Sequence, residues 1–256
     1  MITSDLVLSR ARDLRMHIGI GAGKDEAKVI KSREEALRLG LGEVTLYRDP
    51  MEMARDLSAG RIDAAVRGDM GSNEAMAAVR SVFDVPKVLR AAFLEPVGGR
   101  MFLLAPVGID EGWTVEEKVE MARLSVRTIM PIVPRPVVGI MSGGRSSDRG
   151  RMAAVDRTID AAAGAIDALV REGIDARDVQ ILIEDAARVC DVIVAPDGIS
   201  GNLIFRTLHF LGGGKALGAP VLNIDQPYID TSRAKASYAD SIALASVLAS
   251  RNMHRT

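Results

Sequence analysis

Short apolar runs alternate with amphipathic stretches through the first hundred residues. The runs at residues 17–20, 43–47 and 62–66 have the length and apolar content of buried strands. Between the first two, KDEAKVIKSREEALRLG keeps its apolar residues at helical spacing and ends at Gly40, a typical helix stop. Strands that alternate with helices in this way predict a parallel α/β layer.

The alternation changes before the middle of the chain. Two strand-like runs, at residues 88–94 and 100–106, are joined only by EPVGG, which is too short for the crossover of a parallel pair. A hairpin or a bend between layers is therefore predicted, and with it a domain boundary. We expect a first α/β domain of residues 1–98 and 226–256, and a second of residues 99–225.

The second half continues with both kinds of pattern. Thr114 and Glu117 have the spacing of a capping box, and three prolines end the helix that follows. The terminal segment TSRAKASYADSIALASVLAS is predicted to be one helix with a single apolar face. Further strands are predicted at residues 137–141, 179–183, 192–195 and 221–224.

The strand at residues 137–141 runs into the polar segment SGGRSSDRGR. Glycines, serines and arginines between a strand and a helix predict an anion site, because exposed backbone N–H groups and the helix dipole both favour a phosphate there. The candidates are Ser142, Gly143, Gly144, Arg145 and Ser146. A soluble flexible loop is the alternative interpretation.

A strand, a turn of small residues and a helix follow one another in DVIVAPDGISGNLIFRTL. Loops at strand ends in an open parallel sheet face the crevice where ligands bind. We therefore expect Asp197, Gly201 and Asn202 to line a ligand site. The apolar helix at residues 203–211 exceeds what one small sheet must bury, which favours a homodimer.

Composition narrows the classes of function. The chain has 33 basic and 34 acidic residues, so it lacks the basic excess typical of nucleic-acid or membrane-surface proteins, and we expect neither kind of partner. No segment reaches the length of a spanning helix, so membrane insertion is not expected. Cys190 is the only cysteine, which excludes a disulfide framework and favours the cytoplasm. His17, His209 and His254 lack zinc-ligand spacing, so no metal site is expected.

Several common motifs are missing. Gly19, Gly21 and Gly23 fall one position short of the dinucleotide fingerprint, and Lys24 precedes Asp25 rather than the Ser or Thr of a phosphate-binding P-loop. G-x-S-x-G does not occur. These absences disfavour nicotinamide, P-loop nucleotide and serine hydrolase functions.

Segments along most of the chain, taken in order, resemble the phosphate acetyltransferase and phosphate butyryltransferase superfamily. IGIGAGKDEAKVIKSREEALRLG is similar to its first strand and helix, and GRIDAAVRG to a strand that leads into a turn. RAAFLEP and RMFLLAPVGI resemble the strand pair that opens the second domain. The strongest similarity lies in CDVIVAPDGISGNLIFRTL, LGGGKALGAPV and TSRAKASYADSIALAS.

The resemblance implies two α/β domains with mainly parallel sheets facing a cleft, as in the isocitrate and isopropylmalate dehydrogenase-like superfamily. Family members pass acyl groups between coenzyme A and phosphate: a deprotonated thiol attacks an acyl phosphate without a covalent acyl-enzyme. Carried over by position, the catalytic residues are Ser232, Arg233 and Asn202. A pair with Asp230 is the alternative role of Arg233. Coenzyme A or another anionic coenzyme is implied, with a small anionic substrate. Besides the residues above, the anion-binding candidates are Arg67, Gly68, Arg206 and Lys235.

Some positions depart from the family pattern. Lys235 replaces an acid and reverses the charge beside the implied phosphate, whereas Arg206 replaces a lysine and keeps its charge. Ala105 and Pro106 stand where the family has threonine and aspartate. These departures bear on acyl and coenzyme A recognition.

This pattern resembles a narrower branch, the methanogenesis marker protein 4 group related to MtxX. Its label implies methyl transfer from tetrahydromethanopterin to coenzyme M. The functions left open are a phosphotransacylase-like transferase of this type, a methyltransferase-associated protein, and a non-catalytic ligand-binding or assembly protein on the same fold.

Overall fold

A computed structural model describes residues 2–250 and shows a mixed α/β protein. The helices are α1 (Ser4–Arg12), α2 (Glu26–Arg38), α3 (Pro50–Ser58), α4 (Ser72–Phe83), α5 (Val115–Ile129), α6 (Ala153–Arg171), α7 (Ile183–Val189), α8 (Gly198–Arg206) and α9 (Ala239–Ala249). The strands are β1 (His17–Gly21), β2 (Glu43–Tyr47), β3 (Ala64–Val66), β4 (Ala92–Glu95), β5 (Phe102–Ala105), β6 (Val138–Met141), β7 (Ala176–Gln180), β8 (Val192–Val194), β9 (Lys215–Pro220) and β10 (Tyr228–Asp230).

The described residues form two compact units. We call residues 3–88 and 217–250 the terminal unit, and Ile2 with residues 89–216 the middle unit. The predicted domains, with crossings after residues 98 and 225, place both crossings later in the chain.

The terminal unit has the strand order β2-β1-β3-β10-β9. The first four strands are parallel and β9 is antiparallel to β10. The carboxyl ends of β1, β3 and β10 therefore lie at one edge, which is where ligands bind in open α/β sheets.

Helix α9 packs on this sheet and against α1 and α2. Every residue of α9 except Asp240 is buried, as expected of a helix that is apolar all round. The predicted single apolar face is therefore wrong. The predicted start is also wrong, because residues 231–238 form a turn and α9 begins at Ala239.

The middle unit has the strand order β4-β5-β8-β6-β7. Strands β4 and β5 pair antiparallel, which confirms the hairpin predicted from the short EPVGG link. The other pairs are parallel, so the carboxyl ends of β5, β8 and β6 share an edge.

Two predicted strands are wrong. The run at 179–183 crosses a turn, because β7 ends at Gln180 with φ at +54° and α7 begins at Ile183. Residues 221–224 link β9 to β10 instead of forming a strand. In both cases a short apolar run follows a bend that carries no glycine or proline at the position where sequence patterns look for it.

Candidate functional site

The turn after β10 carries Ser232 and Arg233. Its backbone is closed locally, since the Ala234 N–H donates to Ser232 Oγ at 3.2 Å and the Lys235 N–H donates to the Ser232 carbonyl at 3.2 Å. Ser232 is half-buried and Arg233 is exposed. The two residues therefore stand at the edge where β1, β3 and β10 end.

Arg67 anchors this turn from inside the protein. It is 5% exposed, and its Nε donates to Asp230 Oδ1 at 2.5 Å. Its two terminal nitrogens donate to the carbonyl oxygens of Met70 and Thr231. The guanidinium therefore joins the ends of β3 and β10, with its donors directed at the protein.

One face of α2 supports the same turn from the other side. Lys28 Nζ donates to the Arg233 carbonyl at 2.8 Å, and Ser32 Oγ accepts the Tyr238 N–H at 3.1 Å. Glu35 Oε2 accepts the Ser237 hydroxyl at 2.5 Å. Residues 28, 32 and 35 have the i, i+4, i+7 spacing of one helix face, so a single rigid element fixes the turn.

The side chain of Arg233 is left available by this arrangement. Within residues 2–250 its guanidinium makes no hydrogen bond or ion pair. The alternative role, a pair with Asp230, does not occur, because Asp230 pairs with Arg67. Lys235 Nζ lies 2.7 Å from Asp240 Oδ2, so its positive charge has a carboxylate beside it.

The glycine-rich loop after β1 already holds a carboxylate. Buried Asp69 accepts the N–H groups of Gly23 at 2.5 Å and Asp25 at 2.6 Å. Gly68 has φ at +61°, and a Cβ there would meet the Gly21 carbonyl. Gly68 thus serves the close crossing of two loops, and Asp69 occupies amides that would otherwise suit a phosphate.

In the middle unit, α8 begins tightly against the loop after β5. Asp197 caps the helix by accepting the Ser200 N–H at 2.8 Å, and Asn202 Nδ2 donates to the Val107 carbonyl at 2.9 Å. A Cβ on Gly201 would lie well under 3.0 Å from the carbonyl oxygen of Pro106. All three predicted residues lie at the edge where β5 and β8 end, and each is used to dock the helix.

The polar loop after β6 satisfies many of its own groups. The Ser142 hydroxyl donates to the Gly144 carbonyl at 2.9 Å, and the Gly143 N–H donates to Thr158 Oγ1 at 2.8 Å. The Arg145 N–H donates to Asp148 Oδ2 at 2.8 Å, and this bond is the main reason that the pKa of Asp148 lies below its ordinary value. Ser146 is exposed. The amides expected to bind an anion are thus partly occupied by side chains.

The arginines of this loop differ in their partners. Arg149 pairs with Asp160 and Arg151 with Asp148. Arg145 forms no ion pair within residues 2–250. Further along the chain, Arg206 lies over the Phe210 ring, 5.3 Å from its centroid.

Lys118 was missed by sequence analysis. It lies in α5 but is only 2% exposed, and its Nζ donates to the Gly112 carbonyl. Burial lowers its pKa below the ordinary value, and nearby Asp197 partly offsets this effect. No local signal distinguishes it from the exposed lysines of other amphipathic helices.

The stability of the protein is expected to depend on pH through Lys118. Between its lowered folded-state pKa and the unfolded value of 10.5, the unfolded chain binds more protons than the folded chain, so stability rises with pH. Relative to a Lys118→Met variant, the wild-type free energy of unfolding should rise by up to about 1.4 kcal/mol per pH unit in that window. Urea unfolding from neutral pH to about pH 10 measures the difference. A difference that stays flat with pH would contradict this assignment.

The predicted site residues thus fall into two groups. Arg67, Gly68, Ser232, Arg233 and Lys235 belong to the terminal unit, and the remaining candidates belong to the middle unit. Sequence analysis missed the residues that hold the first group in place, which are Lys28, Ser32, Glu35, Asp69 and Asp230.

Two searches of residues 2–250 bear on other classes of site. No group of three histidine, cysteine, aspartate or glutamate side chains is placed to hold a metal ion, and His254 lies outside the described residues. Within the same residues, no helix combines the length and apolar character that crossing a bilayer requires.

Solved structures with a similar fold are acyl-transfer proteins by name. A branched-chain phosphotransacylase from Enterococcus faecalis superposes with a TM-score of 0.72 at 15% identity, covering 91% of this chain and 99% of that one. A phosphotransacetylase from Streptococcus pyogenes gives 0.72 at 16% identity, covering 99% and 100%. These likenesses show the fold, which confirms the α/β class implied by the sequence resemblance.

A closer relationship is found by sequence. No protein-family model matches the chain. A protein of Methanosarcina mazei, named provisionally as methyltransferase mtx subunit X, is 37% identical over 98% of this chain and 96% of its own length. Its counterpart in Methanosarcina barkeri is 39% identical over 96% and 98%. The chain therefore belongs to the methyltransferase mtx subunit X family, on a fold of the phosphotransacetylase type.

Proposed function

We propose that this protein is a phosphotransacylase-like transferase that binds a small anionic substrate at the turn carrying Ser232 and Arg233. One observation carries the proposal: the Arg233 guanidinium is exposed and unpaired among the described residues, while its backbone is held by Lys28. A cation without a protein partner, on a turn fixed at a strand edge, is suited to bind a ligand anion.

The chemistry of the turn fits a phosphate group. The planar fork of Arg233 can donate two parallel hydrogen bonds to phosphate oxygens. The Ser232 hydroxyl accepts the Ala234 N–H and keeps its own hydrogen for donation. Phosphate esters, acyl phosphates and anionic coenzymes such as coenzyme A all present oxygens of this kind.

Acyl transfer is the reaction that we propose first. A thiolate sulfur forms a bond to the carbonyl carbon of an acyl phosphate, and the bond from that carbon to the phosphate oxygen breaks. Phosphate leaves with the electron pair, and the thiol proton passes to solvent. Arg233 would stabilise the charge that grows on the leaving phosphate, so its contribution is positioning and electrostatics.

Replacing Arg233 by alanine should weaken anion binding and turnover together. Loss of a bidentate charged contact costs about 1.5–3 kcal/mol, which raises the dissociation constant of inorganic or acetyl phosphate about 10- to 100-fold. Isothermal titration calorimetry measures binding, and thioester formation from acetyl phosphate and coenzyme A measures turnover. Arg38→Ala is the matched control, because Arg38 is an exposed arginine in the last turn of α2. Unchanged binding and turnover in Arg233→Ala would reject the site.

Methyl transfer is a second candidate, favoured by the names of the curated relatives. A thermal-shift screen of acyl phosphates, coenzyme A and coenzyme M, followed by turnover assays of each binder, separates the candidates. Binding of an anion without turnover of acyl or methyl donors would instead support a ligand-binding or assembly protein. A homodimer is part of the proposal, and its surface is argued next.

A further inference from the structure

The helical segment that begins at Gly198 exposes large apolar side chains along its surface. Ile199, Leu203 and Phe210 follow one helical line, and Leu203 is 60% exposed. Leu211, in the π-helical turn Thr207–Leu211, is 84% exposed. Val97, between β4 and β5, lies beside Gly213, whose Cβ would come within 3.6 Å of it. We call Ile199, Leu203, Phe210, Leu211 and Val97 the α8 patch.

The charge pattern around the α8 patch is unlike that of the rest of the chain. Residues 198–214 contain no acidic residue and one permanently charged residue, Arg206, although 26% of the whole chain is charged. Arg206 stacks on Phe210, so the cation lies within the apolar line. Aromatic residues and arginine, with few other charges, are typical of the core of a protein interface.

This pattern disfavours a membrane as the occupant. Helices that lie on membranes pair their apolar face with a polar face rich in lysine and arginine. The segment from 198 to 206 has Ser200, Asn202 and a single arginine beside its apolar residues. A protein surface of similar apolar character is the better match.

We propose that the α8 patch is the core of a two-fold interface between two copies of this chain. Five side chains that are about half exposed or more offer on the order of 500 Å² of apolar surface. A stable interface buries about 800 Å² on each partner, of which the fully buried core is the more apolar part. A two-fold axis uses the same patch on both copies, so a single patch is sufficient. The net charge of −1 does not oppose self-association.

Replacing Leu203 by glutamate tests this interface, because the change places a charge at its centre in both copies. We expect wild-type protein to sediment as a dimer and Leu203→Glu to halve the mass, with a dissociation constant raised at least about 100-fold. Leu211→Glu should behave in the same way without disturbing the fold, since the Leu211 side chain is largely exposed. Sedimentation velocity over a wide range of concentration measures the mass, and circular dichroism checks the fold.

The matched control is Leu37→Glu, a leucine in α2 that is 47% exposed and lies outside the patch. It should leave the dimer intact. The proposal is overturned if the wild-type protein is monomeric at every concentration, if both patch variants stay dimeric, or if Leu37→Glu dissociates the dimer equally. Binding of wild-type protein to phosphatidylcholine–phosphatidylglycerol vesicles that is lost in Leu203→Glu would also overturn it, in favour of a membrane. This inference goes beyond the proposed function, and neither test depends on the other.

Discussion

Replacing Arg67 by methionine is expected to lower the free energy of unfolding by about 3–5 kcal/mol, because removal of one partner leaves a charge in the interior without its counter-ion. Arg67 is buried, and it gives hydrogen bonds to the Asp230 carboxylate and to two carbonyl oxygens. Methionine fills much of the volume but makes none of these bonds. Urea unfolding at neutral pH measures the change.

Arg61→Met is the matched control for this prediction. Arg61 also pairs with an aspartate, Asp56, but its side chain is 60% exposed, so its loss should cost about 1 kcal/mol or less. The double variant Arg67→Met, Asp230→Asn should recover part of the loss, because it removes the isolated carboxylate charge. Equal effects of Arg67→Met and Arg61→Met would show that the buried pair is not what anchors the turn.

Replacing Gly201 by alanine is the second change with a large expected effect. The added Cβ would lie well under 3.0 Å from the Pro106 carbonyl oxygen, and a backbone atom cannot move aside as a flexible side chain can. The start of α8 must then shift, and the bond from Asn202 to Val107 is strained or lost. We expect a loss of about 3 kcal/mol, at the upper end of overpacking effects.

Gly164→Ala is the control for Gly201→Ala, because Gly164 also lies inside a helix of the middle unit. Its Cβ would meet Val115 Cγ1 at 3.5 Å, an ordinary contact. Alanine has the higher helix propensity, so Gly164→Ala should raise stability by about 0.5–1 kcal/mol. Thermal unfolding of both variants tests the contrast, and a Gly201→Ala variant as stable as wild type would refute the close approach.

Sequence patterns predicted the elements that are buried on both faces better than those at bends. The runs that became β1, β2 and β8 are short and apolar, and nothing in their neighbourhood competes with a strand. The turn after β10 was predicted as helix because TSRAKAS is rich in residues that tolerate helices. Its shape depends on long-range contacts from Lys28, Ser32 and Glu35, which no local pattern contains.

The candidate site shows the same division. Ser232 and Arg233 could be selected from the family resemblance, and the structure leaves the Arg233 side chain available at a strand edge. Arg67 was selected for its position after β3, but the structure directs its donors to the protein. A sequence shows that an arginine follows a strand, whereas its direction depends on Asp230, which lies 163 residues away.

The support that α2 gives to the Arg233 turn has a consequence for motion. The turn lacks a regular hydrogen-bond ladder of its own, so it can open only by breaking its bonds to Lys28, Ser32 and Glu35. Opening it alone loses these bonds at once, whereas displacing α2 as well exposes Val29 and Ala36 to water. The turn and the helix therefore form one cooperative unit of local unfolding, and Arg233 is held in place by the buried face of a helix that precedes it by about two hundred residues.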